Sequence, residues 1–142
     1  MRHEVDLRFC IWGFEDLIHS EITSKLGIEP LKIYIKGERK NPKYSAVSKN
    51  NGWIMKPLRE KLASFEDQME AMLDVIEANK DAFKFFTEKY YCEFACAVFI
   101  RDDNGESAPS VHLDSRYNKL IRELNIEFDL DLYCLPNTEN DK

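Results

Sequence analysis

The segment Ile126-Glu127-Phe128-Asp129-Leu130-Asp131-Leu132-Tyr133-Cys134 carries the clearest strand signal in the chain. Its apolar and polar residues alternate with period two, which is the pattern of a strand with one buried face. We therefore predict that Ile126 and every second residue after it point into the core. Glu127, Asp129 and Asp131 should then point away from the core on the other face.

Earlier segments predict the rest of a sheet. Residues 92–100 are largely apolar at both even and odd positions, so both faces of the strand are apolar, which is typical of a central strand that is covered on both sides. Residues 5–11 and 31–36 alternate in the same way as the last strand, and a turn signal precedes a short strand at 53–55. We expect residues 92–100 to form the centre of this sheet.

Three segments between the strands carry apolar residues at helical spacing, namely residues 16–26, 64–89 and 114–125. Gly27 stands where a left-handed C-terminal cap is expected, and Ser64 stands where an N-terminal cap is expected. The polar triplet Asn79-Lys80-Asp81 leaves open whether residues 64–89 form one kinked helix or a helix that stops and restarts.

The resulting element order, β-α-β-β-α-β-α-β, places the chain in the α+β class. Its first six elements match the split βαβ arrangement of ferredoxin-like domains, with a helix and a strand appended. We expect a largely antiparallel sheet with the helices on one face. We assign residues 1–135 to a single α+β domain and residues 136–142 to a polar C-terminal tail.

Composition and charge argue against several classes of protein. A chain of 142 residues buries about 70% of its unfolded surface, so it needs no disulfide or bound metal to stabilise the fold. The formal net charge of −6 argues against binding to DNA or RNA. No apolar run is long enough for a membrane span and the N-terminus lacks the core of a signal peptide, so we expect a cytoplasmic protein that binds no membrane. The four cysteines lie in apolar runs without metal-site spacing, which predicts buried free thiols.

Motifs for catalysis do not occur in the sequence. His3, His19 and His112 are scattered and lack the spacing of a zinc site, and there is no glycine-rich phosphate loop or nucleophile elbow. We therefore predict no catalytic residues, no metal and no cofactor. An enzymatic or small-molecule-binding domain whose site follows no recognised motif stays open as an alternative.

The acidic row formed by Glu127, Asp129 and Asp131 is a candidate binding feature. Alternate residues of a strand stand about 7 Å apart, so the three carboxylates share one face at regular intervals. Such a row can bind a cation or a basic partner. The alternative is that cations on other outward faces neutralise the row across the sheet. Those cations are Arg8, Lys32, Lys36 and Arg101.

Ordered features along the chain resemble those of a known family. They are Phe9-Cys10-Ile11-Trp12-Gly13, the helix end and turn from Glu21 to Pro30, Lys36-Gly37-Glu38, Gly52-Trp53, and the acidic strand from Glu127 to Tyr133. On these residues the chain resembles the bacterial family catalogued as domain of unknown function 4279. The resemblance covers nearly the whole chain. It implies a compact bacterial domain and implies no activity.

A non-enzymatic, protein-binding role is the function that these observations favour. Lys36, Glu38 and Arg39 lie together at a strand-loop junction near Trp53, and we predict that they form a binding patch in addition to the acidic row. Because the chain is acidic, we expect a partner with a basic surface, and an immunity-type inhibitor of a bacterial toxin is one protein of this kind. The alternatives are a homodimer or a homo-oligomeric structural protein, in which the aromatic residues crowded between 83 and 91 form an apolar patch.

Overall fold

A mixed five-stranded sheet organises the computed structural model, which describes residues 2–136 of the chain. The strands are β1 (Glu4–Trp12), β2 (Lys32–Tyr34), β3 (Gly52–Met55), β4 (Tyr91–Arg101) and β5 (Glu127–Leu135). They lie in the order β2-β3-β1-β4-β5. The predicted polar tail lies outside the described residues from residue 137 onward.

The helices are α1 (His19–Leu26), α2 (Phe65–Ala78), α3 (Lys80–Lys89) and α4 (Ser115–Glu123). Two predicted caps are confirmed. The Ser64 hydroxyl accepts a hydrogen bond from the backbone N–H of Asp67 at 3.1 Å, and Gly27 ends α1 with a left-handed φ of 67°. Gly27 suits this position because a residue without Cβ adopts positive φ at little cost.

The helices pack against one face of the sheet. On that face, alternate residues of β1 from Val5 to Ile11 are buried in one cluster with Ile22 of α1, Met72 of α2 and Phe83 of α3. The intervening residues of β1 point to the opposite face, where most are only half-buried. We call this opposite surface the open face, and the functional surface described below lies on it.

The α+β class is confirmed, and the prediction of a largely antiparallel sheet is wrong. Strand β1 pairs antiparallel with β3 and β4, and β2 pairs antiparallel with β3, but β5 runs parallel to β4. The reason is that α4 lies in the connection from β4 to β5 and returns the chain to the end where β4 begins. Strand β1, and not β4, holds the central position.

The segment 64–89 forms two helices that meet at Asn79. The backbone of Asn79 leaves the helical region, with φ −137° and ψ 41°. Its side-chain amide donates a hydrogen bond to the carbonyl of Leu26 at 3.0 Å, which ties this break to the end of α1. The first helix begins at His19 and not at residue 16, since the Asp16 carboxylate accepts from the hydroxyl of Tyr90 instead of capping α1.

Strand β5 lies at an edge of the sheet, and most of its residues that were predicted to point into the core are exposed. Leu130 is 39% exposed and Leu132 is 61% exposed, and Cys134 is exposed as well. The helix layer reaches only the start of β5, where Phe128 packs against Phe65 and Tyr117. The prediction that all alternate residues from Ile126 point into the core is therefore wrong beyond Phe128.

Candidate functional site

A shallow trough runs across the open face between β1 and β5. Strand register places Arg8, Ala95 and Asp129 in one cross-strand row, and Asp6, Ala97 and Asp131 in the next. Because alanine side chains end at Cβ, β4 forms a low floor between the longer side chains of its two neighbours. The trough has a volume of about 240 Å³.

The two walls of the trough differ in how their charges are paired. On β1, the Arg8 guanidinium donates two hydrogen bonds of 3.1 Å to Asp6, and this contact raises the pKa of Arg8. On β5, the carboxylates of Glu127, Asp129 and Asp131 are exposed, and none forms an ion pair with another described residue. Arg8 is therefore paired with Asp6 and does not pair with the carboxylates of the acidic row.

The other cations that were expected to neutralise the acidic row are placed elsewhere. The Lys36 ammonium lies 2.5 Å from the Glu15 carboxylate. The Lys32 ammonium lies 4.8 Å from the centre of the Tyr34 ring. Arg101 forms no ion pair within the described residues. Neutralisation across the sheet thus has no supporting contact in the part of the chain that the structure describes.

Aromatic side chains stand at both ends of the trough. At one end the rings of Phe99 and Tyr133 stack, with centroids 5.1 Å apart and an interplanar angle of 13°. At the other end Glu93 accepts hydrogen bonds from the Trp12 indole at 3.2 Å and from the Tyr91 hydroxyl at 3.0 Å. Burial, together with the bond to Glu93, raises the pKa of Tyr91. Rigid aromatic side chains with a polar group are typical of protein interfaces.

The Trp12 ring is fixed in place by its neighbours on the open face. It stacks on Tyr34 with centroids 5.5 Å apart. A Cβ atom on Gly52 would lie only 2.4 Å from the Trp12 ring, so the ring lies where no larger residue fits beneath it. Gly52 therefore contributes to the site by allowing the indole to lie against the sheet.

A family model described as domain of unknown function (DUF4279) matches residues 3–135. The chain belongs to the DUF4279 family. The match includes every strand and helix of the described structure and all residues of the trough. No curated protein and no solved structure matches the chain. The features of this DUF4279 domain that bear on its function are therefore those of its surface, above all the trough and the acidic row.

The structure separates the predicted binding residues into three places. The acidic row lies on β5, whereas Lys36, Glu38 and Arg39 are exposed in the loop after β2, at the opposite edge of the sheet. With strands about 4.8 Å apart, these edges are roughly 19 Å from each other. Trp53 is fully buried on the helix side, where its indole donates to the Thr23 hydroxyl at 3.1 Å, so it offers no surface to a partner.

A second depression, of about 270 Å³, lies between Trp12 and the loop after β2. Lys40 and Lys49 line it together with Ser48. Ser48 is buried, and its hydroxyl has no hydrogen-bond partner in the described structure. The loop that carries Glu38 and Arg39 thus meets the open face at Trp12 and not at Trp53.

The aromatic residues between 83 and 91 do not form one exposed patch. Phe83 and Phe86 are buried. The ring of Phe85 is covered by two ammonium groups, from Lys25 at 3.8 Å and from Lys89 at 4.9 Å. Phe85, at 37% exposure, and Tyr91, at 53%, are the members of this group that a partner can contact.

The cysteines divide into a buried set and one exposed residue. Cys10, Cys92 and Cys96 are buried free thiols, and burial raises the pKa of each to about 12. They are therefore poor nucleophiles near neutral pH. Cys134 is exposed because it lies on the edge strand, which corrects the prediction that all the thiols are buried.

Neither a metal-site cluster nor a membrane-spanning helix occurs within residues 2–136. No three His, Cys, Asp or Glu side chains there are grouped as a metal site would require. None of the helices in this range combines the length and apolar character needed to cross a bilayer.

Sequence reasoning missed the contributions of β1 and β4 to the trough. Asp6, Arg8, Ala95 and Ala97 carry no motif, and their only local signal is that they alternate with the buried residues of their strands. What makes them a site is the register that brings β1, β4 and β5 side by side.

Proposed function

We propose that this DUF4279 domain is a non-enzymatic binding protein whose β5 side docks a basic surface of a partner protein. The observation that carries the proposal is the row Glu127, Asp129 and Asp131, which is exposed and has no ion-pair partner among the described residues. Like charges along one strand face repel one another, and a basic partner would relieve that repulsion. Charge complementarity of this kind also speeds association and selects the partner.

The shape of the open face supports binding of a protein surface over enclosure of a small ligand. The trough has about 240 Å³ and the depression beside Trp12 about 270 Å³. Sites that enclose a drug-sized ligand hold roughly 300–1,000 Å³. The aromatic pairs at the ends of the trough supply the kind of rigid side chains that anchor protein interfaces. An immunity-type inhibitor that caps a basic toxin surface is a specific form of this function.

Two finer assignments belong to the same proposal. We place the protein in the cytoplasm, because the free thiols of Cys10, Cys92 and Cys96 suit a reducing compartment. We also assign the first four strands to the ferredoxin-like arrangement, which their order β2-β3-β1-β4 and their antiparallel pairing support.

Affinity capture with two matched baits tests the proposed function. The first bait carries Glu127→Gln, Asp129→Asn and Asp131→Asn. The second carries Glu29→Gln, Glu60→Gln and Glu70→Gln, which removes the same charge from exposed positions away from β5. We expect a partner that wild type and the second bait retain, and whose affinity the first bait lowers by about tenfold. Quantitative mass spectrometry of the captured proteins, followed by titration of the identified partner, measures this.

The salt dependence of the complex provides a second readout. A contact between the acidic row and a basic surface should weaken as the salt concentration rises, because exposed charges are screened. Equal capture by both baits, or a partner whose affinity does not respond to the neutralised row, would contradict the proposed function.

A further inference from the structure

The outer edge of β5 is an unpaired row of backbone groups. The Leu135 carbonyl accepts a hydrogen bond from the Asp102 N–H at 2.9 Å, so Leu135 and every second residue before it direct their backbone groups toward β4. The intervening residues, Phe128, Leu130, Leu132 and Cys134, direct theirs away from the sheet. No described residue forms a hydrogen bond with those outward groups.

Each side of this edge has its own chemistry. On the helix side Leu130 and Leu132 are exposed, at 39% and 61%. On the open face the carboxylates of Asp129 and Asp131 alternate with these leucines along the strand. A strand that pairs with β5 would place its side chains directly beside these residues on the same two sides.

We propose that the partner supplies an extended segment of alternating basic and apolar residues, which adds to the outer edge of β5 as a sixth strand. This rests on the proposed function, since it takes the basic partner as given and specifies how that partner binds. The outward backbone groups of β5 provide the affinity, as in other cases of strand addition. The alternation provides the selectivity, because apolar residues cover Leu130 and Leu132 while basic residues face Asp129 and Asp131.

Charge argues against a second copy of the chain as the occupant of this edge. Antiparallel pairing of two β5 strands centred on Leu130 places Asp129 of each copy opposite Asp131 of the other. Pairing centred on Asp131 places that carboxylate opposite its own equivalent. Like charges directly opposite one another destabilise a strand pair. The register centred on Asp131, which uses all nine residues of β5, and the register centred on Leu130 are therefore unfavourable for self-association, whereas the same carboxylates favour a basic strand.

A synthetic peptide is the probe for the test. It has nine residues, the length of β5, with lysine and valine alternating and both ends blocked. One control peptide has glutamate in place of lysine, and a second has the same composition with the lysines in one block. We expect measurable binding of the alternating peptide by fluorescence anisotropy and none of the glutamate peptide.

Two variants at one position separate strand addition from charge attraction. Leu132→Pro removes an outward N–H without touching the ladder to β4, a position at which edge strands accept proline. Leu132→Thr is the matched control, because it shortens the apolar side chain and keeps the N–H. We expect Leu132→Pro to bind the alternating peptide about tenfold more weakly than Leu132→Thr does.

The outcomes distinguish this inference from the function on which it rests. Equal binding by the two Leu132 variants, with binding lost when the acidic row is neutralised, would overturn strand addition and leave the basic partner in place. No binding of the alternating peptide would overturn the inference. A dimer in sedimentation that Leu132→Pro dissociates would identify the occupant as a second copy and overturn it too. If Leu132→Pro does not fold, amide exchange of the wild-type complex decides: slowed exchange at Leu130 and Leu132 supports the inference, and unchanged exchange overturns it.

Discussion

The two edges of the sheet are built in different ways. Strand β2 has three residues, and the carbonyl of its last residue, Tyr34, accepts a hydrogen bond from the His19 ring at 2.8 Å, which ties α1 to the end of this strand. Strand β5 has nine residues, and the outward backbone groups between Phe128 and Cys134 have no partner among the described residues.

The domain thus protects one edge of its sheet and leaves the other available for pairing. Exposed edges invite unwanted pairing, and proteins protect them by shortening the strand, covering it or placing charges on it. Strand β2 is protected by being short, whereas β5 is long and is protected only by its charges. Three carboxylates deter a second copy of β5 and attract a basic strand, so the edge remains selective and stays open.

The largest expected contrast is in thiol reactivity, and it compares the open edge with the core. At pH 8 a thiol with a pKa of about 12 is a thiolate in about one molecule in ten thousand, so Cys10, Cys92 and Cys96 should react at least about a thousandfold more slowly than the exposed Cys134. The reaction of one thiol per native chain with a disulfide reagent, and of four in urea, checks this. Cys134→Ser should abolish the fast phase. Two fast thiols in the native protein would show that at least one of the three core thiols is as accessible as Cys134.

Reversing the charge of the open edge should give the next largest effect. With Glu127→Lys, Asp129→Lys and Asp131→Lys, attraction to the lysine-valine peptide becomes repulsion, and we expect affinity to fall by about a hundredfold and the glutamate-valine peptide to bind instead. Anisotropy titrations measure both. The same reversal at Glu29, Glu60 and Glu70 is the control and should leave the preference for lysine unchanged. A preference that fails to switch would mean that the acidic row does not select the partner.

Removing the hydrogen bond between α1 and β2 should give the smallest effect. His19→Ala leaves the Tyr34 carbonyl without this partner and should lower the free energy of unfolding by about 1 kcal/mol, since one neutral hydrogen bond is lost. Urea denaturation measures the change, and His112→Ala, at an exposed position, is the control. Peptide binding at β5 should stay the same. Gain of peptide binding at β2 on this substitution would show that the contact with α1 helps to protect that edge. Loss of binding at β5 would contradict the independence of the two edges.

Local patterns predicted the parts of this structure that depend on neighbours in sequence. Alternation along β5 predicted both the strand and the side on which Glu127, Asp129 and Asp131 lie, because successive side chains of a strand point to opposite faces. The same alternation could not show that Leu132 is exposed. Burial depends on whether a helix covers that part of the strand, and this is set by residues far away in the chain.

The trough lay beyond sequence reasoning for a related reason. Asp6 and Ala97 become neighbours through the pairing of β1 with β4, whose residues lie about ninety positions apart in the chain. No local pattern specifies that register. Trp53 offers no surface to the predicted patch of Lys36, Glu38 and Arg39, because a large aromatic residue near a loop is equally able to fill the core, and here it does.

Amide hydrogen exchange along β5, with and without the lysine-valine peptide, directly tests whether a strand adds to this edge. In the free protein the amides of Leu130 and Leu132 face away from the sheet and should exchange fast, while those of Asp129 and Asp131 bond to β4 and should exchange slowly. The peptide should slow Leu130 and Leu132 by about tenfold or more and leave the other two unchanged, as each outward amide gains a hydrogen bond. Slow exchange at Leu130 and Leu132 in the free protein would show that these amides are already paired. Unchanged exchange there when the peptide is bound would contradict strand addition at β5.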